Sequence, residues 1–367
     1  MPRTLTLATV QMDIRPSSLE ERLERAAALV QQAAAQGAQL VVLTEFFNTG
    51  YTYEETLYER AERADGPTFR WLLAQAQAHQ VYVYAAWLVV DGDHAYDRGV
   101  LAAPDGQHWA YDKLYPWAWE RAFFREGGHQ IRVAHTPLGR IGLMICWDAA
   151  HEQLWRRYAG RVDLLLISSC PPNMHQMVIE FPDGARYPVN TGDHHFADSD
   201  LDAQAAWMGV PVVHAAGTGA LNTLLPLPRQ SLALLAIYNA DLLRRLPQAD
   251  QAVLQARCDH HAKIVDGGGH VLTRALSDDD EIAIATVTLP DETPRPDVRA
   301  EQPRFRISAL SRLAIDQLSQ ALMSYAYGRG LRRQWGARMA PRDPRTWWWG
   351  ISLGLAFIAG LWAARRR

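Results

Sequence analysis

The segment Gly142–Leu143–Met144–Ile145–Cys146–Trp147–Asp148 stops an apolar run on a cysteine. A short run of this kind reads as a buried strand, and the residues after it as the start of a helix. The chain is thereby confined to folds in which strand ends and helix starts share one face. Helix N–H groups would then aim at the sulfur and favour thiolate over thiol. Two other runs end in a comparable way. Glu45 closes Leu40–Val41–Val42–Leu43, and Lys113 follows Trp109–Ala110–Tyr111. A carboxylate, an ammonium and a thiol at three strand ends are the groups a nucleophilic hydrolase needs.

Strand-like and helix-like patterns alternate along the chain. Thr4 to Gln11 reads as a strand, and Ser18 with Glu21 as a capping box. The helix that follows carries Leu23, Ala26, Ala27, Val30 and Ala34 on one face, and Gly37 stops it. The spacing predicts further helices over Thr68–His79 and His151–Ala159 and strands over Val81–Val90, Arg140–Ile145, Val162–Ser168 and Val210–Ala215. Pro104–Asp105–Gly106 reads as a hairpin turn. Leu232 to Ala256 reads as a helix pair broken at Pro247. Ala262–Val265 and Ile282–Leu289 read as a strand pair joined through Gly267–Gly268–Gly269. Hairpins among strand–helix units argue for an α/β fold with a mixed sheet.

The 367 residues are 48% hydrophobic, enough for a full core, and a net charge of −3 gives no reason to expect nucleic acid. Cys146, Cys170 and Cys258 form no spaced cluster, which fits a reducing compartment. The first residues run straight into a strand pattern and lack the apolar core of a signal peptide. Trp347 to Ala364 carries no charge over 18 residues and has tryptophans near both ends. The expectation is a single transmembrane helix over 346–364, with a basic tail over 365–367. Arg329, Arg332, Arg333, Arg338, Arg342 and Arg345 precede it, which would keep the larger domain cytoplasmic. The domain expectation is a globular body over 1–290, then a linker and amphipathic helix over 291–345. The amphipathic stretch Ser308–Tyr327 fits a membrane surface, a dimer interface or a site on the body equally well.

Three motifs in order resemble the carbon–nitrogen hydrolase (nitrilase) superfamily, in its amidase-like branch, over roughly residues 4 to 290. Gly37–Ala38–Gln39–Leu40–Val41–Val42–Leu43–Thr44–Glu45 with Thr49–Gly50–Tyr51 is similar to its glutamate motif. Tyr111–Asp112–Lys113–Leu114 is similar to its lysine motif, and Ile145–Cys146–Trp147–Asp148 with Glu152 to its cysteine motif. The resemblance implies an α-β-β-α sandwich and association into homodimers or larger homo-oligomers. Thr44 stands where the family commonly has proline, Ala150–His151 where it has Phe-Pro, and Gln204 where many members have arginine. These departures touch the substrate pocket and leave the three motif residues in place.

The resemblance implies hydrolysis of a non-peptide carbon–nitrogen bond, amide or carbamoyl, without metal or other cofactor. Cys146 would be the nucleophile and Glu45 the proton carrier. Lys113 and the backbone N–H of Trp147 would face the oxyanion. Glu120 matches a second family glutamate that orients Lys113 or the substrate. Tyr51, Tyr115, Trp117 and Trp147 are the pocket candidates. Asp148 after Cys146–Trp147 favours an amide, because nitrile-cleaving members usually carry glutamate there. A nitrile substrate, transfer of the acyl group to an amine, and a membrane-tethered non-enzyme remain as alternatives. Cys170 reads as structural and buried near the site. The pairs His194–His195 and His260–His261 read as surface or loop residues.

Overall fold

Alternation along the first strands decides which layer each side chain enters. In the computed structural model, which describes residues 3–173, 177–259, 261–296 and 300–335, Leu40 and Val42 of the strand Leu40–Glu45 face one core. Val41 and Leu43 face another. Ala8, Val10 and Met12 of the strand Arg3–Asp13 share the second core with Ala26, Val30 and Ala33 of the helix Leu19–Ala35. That helix starts as expected: Ser18 Oγ accepts the backbone N–H of Glu21 at 3.2 Å. It stops at Ala35, and Gly37 follows with φ +84°.

The strand Arg3–Asp13 runs parallel to Leu40–Glu45, which runs parallel to Tyr82–Asp91. His94–Ala102 and His108–Asp112 complete that half as antiparallel hairpins. The other half pairs Gly139–Ile145 with Leu164–Ser169, and the latter with Val212–Leu224, all parallel. The halves face each other across the larger core. Tyr84 Oη donates to the Met144 carbonyl at 3.0 Å, and Ser168 Oγ to that of Leu43 at 2.8 Å. Helices cover the outer sides, giving the expected α-β-β-α layering. Gly142 makes room on the second half: a Cβ there would lie 2.7 Å from Leu165 and 3.0 Å from the Tyr158 ring.

Three local expectations change. Leu232–Ala256 is not one helix pair: a helix spans Pro228–Leu235, 3₁₀ turns span Ala240–Gln251, and Val253–Cys258 is a strand. Leu254, Ala256 and Cys258 alternate inward, a period of two that the preceding apolar helical pattern masks. The glycine turn joins Lys263–Val265 to Val271–Arg274, while Glu281–Leu289 returns to pair with Arg3–Gln11. Val212–Leu224 runs nine residues past Ala215 and joins the two halves through Gln11–Asp13.

Among the described residues no helix is long and apolar enough to cross a membrane. This overturns the expected single-pass transmembrane helix, the membrane localisation, and the orientation argument that depended on them. Residues 346–364 and 365–367 themselves lie outside the described residues. The helical stretch leading toward them supplies the physical reason. It runs through Ala309–Arg312, Leu313–Leu318 and Ser319–Trp335 and docks on the body. Met323, Tyr327 and Leu331 are buried, and the Tyr327 hydroxyl accepts the Ala95 N–H at 3.1 Å. Arg329 and Arg333, two of the arginines read as membrane-flanking, pair with Glu55 of the body.

The loop after Glu45 depends on a glycine. Gly50 has φ +76°, and a Cβ there would meet Pro16 Cα at 2.6 Å and the Ile14 carbonyl at 2.8 Å. Both obstacles are backbone and cannot rotate away. Gly50→Ala is expected to cost about 2 kcal/mol through strain and overlap, read as a lower urea midpoint at unchanged slope.

Candidate active site

Glu45, Lys113 and Cys146 each leave a strand at its end, and the facing of the two halves brings those ends together. Glu45 ends Leu40–Glu45, and the chain turns at Phe46, φ +53°. Lys113 follows His108–Asp112, where its backbone N–H donates to the Asp97 carbonyl at 2.9 Å. Cys146 follows Gly139–Ile145 at φ +45°, a left-handed conformation that costs energy for a residue with a Cβ.

Asp148 holds that turn against the lysine loop. Its Oδ2 accepts the Ile145 N–H at 3.1 Å and the Tyr111 hydroxyl at 2.7 Å. Its Oδ1 accepts the N–H groups of Leu114 and Tyr115 at 3.0 and 2.8 Å. One carboxylate thus ties the residue before Cys146 to the residues after Lys113.

The Lys113 ammonium is the hub. It donates to Glu45 Oε1 and to Glu120 Oε2, each at 2.6 Å, and lies 3.6 Å from Asp97 Oδ2. Lys113, Glu45 and Asp97 side chains are 0% exposed. Glu120 sits in the turn Ala118–Ala122, where Oε2 also accepts the Trp117 N–H and Oε1 the Tyr51 hydroxyl. Glu45 Oε2 accepts the Cys170 N–H at 2.9 Å, and the Cys170 thiol donates to the Glu45 carbonyl at 2.8 Å. Cys170, expected to be structural and near the site, is what positions Glu45.

Burial works against the Lys113 ammonium, but Glu120 and then Glu45 outweigh it and raise its pKa well above the lysine range. Burial also raises Glu120, to about 7, against the pull of Lys113. Asp97 is raised well above the carboxylate range by burial and then by Glu45. The Cys146 thiol is pushed well up by burial and Glu45, with Lys113 opposing. The expected depression of the thiol is therefore absent. Two glutamates already neutralise Lys113, and Cys146 opens a five-residue 3₁₀ turn rather than a long helix.

Cys146 lines a cleft with Glu120, Tyr51, Trp117 and Trp147. Tyr115 is not among the lining residues. It stacks on His151 with ring centroids 3.8 Å apart, and its hydroxyl accepts from Gln153. The cleft is also lined by Pro171, Pro172, Asp193, His194, His195, Phe196 and Ile307. Ile307 and the helix after it close one side of it. The Trp147 indole N–H donates to Asp316 at 2.9 Å, and the Arg312 guanidinium lies 5.6 Å from the Trp147 ring centroid.

The sequence reading missed Asp97, Asp193 and Ile307. Asp97 sits mid-strand, where only three-dimensional pairing reveals that it faces Lys113. His195, read as a loop residue, stacks on His261 at 3.9 Å with Asp198 close by. The rings are 8° from parallel, and the ligand atoms of His195, Asp198 and His261 lie within 4.8 Å of one another, a spacing within reach of a single ion. His260 lies outside the described residues.

A family model described as carbon-nitrogen hydrolase matches residues 6–296. A nitrilase from Pyrococcus abyssi is 35% identical over 145 residues, 39% of this chain and 55% of that protein. A deaminated glutathione amidase from Synechocystis is 33% identical over 180 residues, 44% of this chain and 64% of that protein. The chain thus spans between about half and two thirds of the length of these relatives. Among solved structures, a CN-hydrolase superfamily protein from Xanthomonas campestris superposes with TM-score 0.57 at 18% identity, covering 79% of this chain and 91% of that one. An amidase from Nesterenkonia superposes with TM-score 0.56 at 18% identity, covering 79% and 91%. The overlay with these structures is a likeness of fold, and the family match spans most of the chain. This chain belongs to the carbon–nitrogen hydrolase family.

Proposed function

We propose that the chain hydrolyses an amide or carbamoyl carbon–nitrogen bond through a thioester on Cys146. The observation that carries this reading is the Lys113 ammonium held at 2.6 Å by both Glu45 and Glu120, beside the cleft where Cys146 stands. The sulfur attacks the carbonyl carbon while Glu45 takes the thiol proton. A thiol kept neutral by burial needs such a base at the moment of attack. The oxyanion faces the Lys113 ammonium and the N–H of Trp147. Glu45 returns the proton to the leaving nitrogen as the C–N bond breaks. Water then enters, gives a proton to Glu45 and attacks the thioester. The acid leaves and Cys146 recovers its proton. Glu120, fixed on Lys113 and on the Trp117 N–H, orients the ammonium.

The same groups would convert a nitrile through a thioimidate, and 35% identity to a nitrilase keeps that reading in view. Product analysis on matched amides and nitriles separates the two, since an amidase leaves the nitrile intact. Acyl transfer would appear as product that depends on added amine. Cys146→Ala is expected to lower kcat on the best substrate by more than about a thousandfold, measured as ammonia or amine release. Retained turnover in that variant would end the thioester route.

The proton count at the hub adds a second expectation. Glu45, Glu120 and Asp97 surround one ammonium in an apolar interior. Three ionised acids would leave two uncompensated charges there. A neutral Asp97, raised by burial and then by Glu45, removes one of these two charges. Asp97 then binds a proton in the folded chain that it has lost in the unfolded chain above about pH 4. The unfolded state holds fewer protons, so this group lowers stability as pH rises from there. Asp97→Asn keeps a donor with no proton to lose. Its unfolding free energy is expected to fall less steeply with pH above 4, by up to about 1.4 kcal/mol per pH unit. Urea titrations of both proteins across pH 4–8 measure the difference, and parallel curves would place the proton elsewhere.

A further inference from the structure

Asp193 is a buried carboxylate with half of its hydrogen-bonding capacity unused, on the wall of the cleft. Its residue is 4% exposed. Oδ1 accepts the Ser308 N–H at 2.8 Å, while Oδ2 is buried and has no hydrogen-bond partner among the described residues. No Arg or Lys side chain lines the cleft among the described residues. Lys113 is held by its two glutamates, which take two of its three N–H donors. An ionised carboxylate left in this state costs free energy until a donor arrives.

The surroundings select the donor. Tyr51, Trp117, Trp147 and Phe196 line the same cleft, and aromatic faces attract cations. A carboxylate-bearing substrate would meet repulsion from Asp193 and would find no free cation. A neutral apolar chain would leave Oδ2 as it is. A protonated amine would satisfy Oδ2 through a charge-assisted hydrogen bond and lie against aromatic walls. We propose that Asp193 is a substrate-recognition residue, and that the substrate is an amide carrying a protonated amine. The inference rests on the amidase reading for its substrate and on Asp193 alone for its selectivity.

A purely structural Asp193, serving only to pin Ser308, would affect every substrate alike. The test therefore reads ratios. Full-length protein is assayed with 5-aminopentanamide, pentanamide and 4-carbamoylbutanoate, and with N-(4-aminobutyl)acetamide against N-butylacetamide to place the amine on the leaving side. At least one amine-bearing amide is expected to exceed its neutral counterpart by about tenfold or more in kcat/KM, the usual size of one charge-assisted bond. The carboxylate-bearing amide is expected to be the poorest. In Asp193→Asn, which retains the acceptor for Ser308, the ratio is expected to fall toward one. Calorimetry with n-pentylammonium against 1-pentanol gives a readout without turnover: the ammonium is expected to bind the wild-type protein about tenfold more tightly or better. Equal binding of the two, or a preference for neutral or anionic amides, would overturn the inference even if Asp193→Asn failed to fold. A preference that survives intact in a folded Asp193→Asn protein would overturn it as well. If no amide is cleaved while pentylammonium still binds selectively through Asp193, the amidase reading fails and the recognition site stands.

Discussion

The interior of this molecule is organised around one ammonium group placed where water does not reach. A bare ammonium in an apolar interior is costly by several kcal/mol, and Lys113 is tolerable only because acids meet it from separate elements. Glu45 comes from a strand end, Glu120 from a 3₁₀ turn, and Asp97 from the neighbouring hairpin strand. The two glutamates touch Nζ at 2.6 Å. None of these contacts is local, so the ion cluster exists only when the two sheet halves face each other in the correct register. A one-residue slip in Leu40–Glu45 would turn its side chains to the opposite layer. It would leave the ammonium and the remaining acids without their counterweight.

Around the hub, groups outside the proposed triad fix the reacting side chains. Asp148 spends all four of its contacts on joining the cysteine turn to the lysine loop. Cys170 holds Glu45 by a backbone N–H on the carboxylate and a thiol on the carbonyl. This explains how Cys146 can occupy φ +45°. A left-handed conformation persists where the surroundings over-determine it, and Asp148 supplies that determination from the preceding N–H and the facing loop.

The parts legible in the sequence were those written in local period and in strand ends. Leu40–Leu43 and Gly142–Ile145 announce buried strands and Trp109–Tyr111 a half-exposed one, and Glu45, Cys146 and Lys113 at their ends mark the face where a site forms. The helix begun at Ser18 and stopped near Gly37 is likewise local. What escaped depends on distant partners. Asp97 looks like any polar residue of a half-buried strand until its carboxylate is found against Lys113 and Glu45. Val253–Cys258 follows Pro247 and apolar residues at helical spacing, and pairing with Gly219–Leu224 on one side and Met177–Glu180 on the other makes it a strand. Burial also reversed the expected electrostatics of Cys146. The sequence motif supplies a lysine and a helix start, and neither reveals that the lysine is already neutralised.

The C-terminal segment separates chemistry from selection. The family match ends at residue 296, and Glu45, Lys113, Glu120 and Cys146 all lie inside it. Ile307, Arg312 and Asp316 lie beyond it, yet Ile307 lines the cleft and the other two hold Trp147. The segment is no loose strap: Phe305 N–H donates to Glu152, Arg306 pairs with Asp200, and Ser308 N–H donates to Asp193. The residue that pins the segment, Asp193, also lines the cleft and carries a carboxylate oxygen with no partner among the described residues. Fold and selectivity are therefore coupled through that one side chain: the bond to Ser308 fixes where its second oxygen stands, and hence which charge the cleft admits.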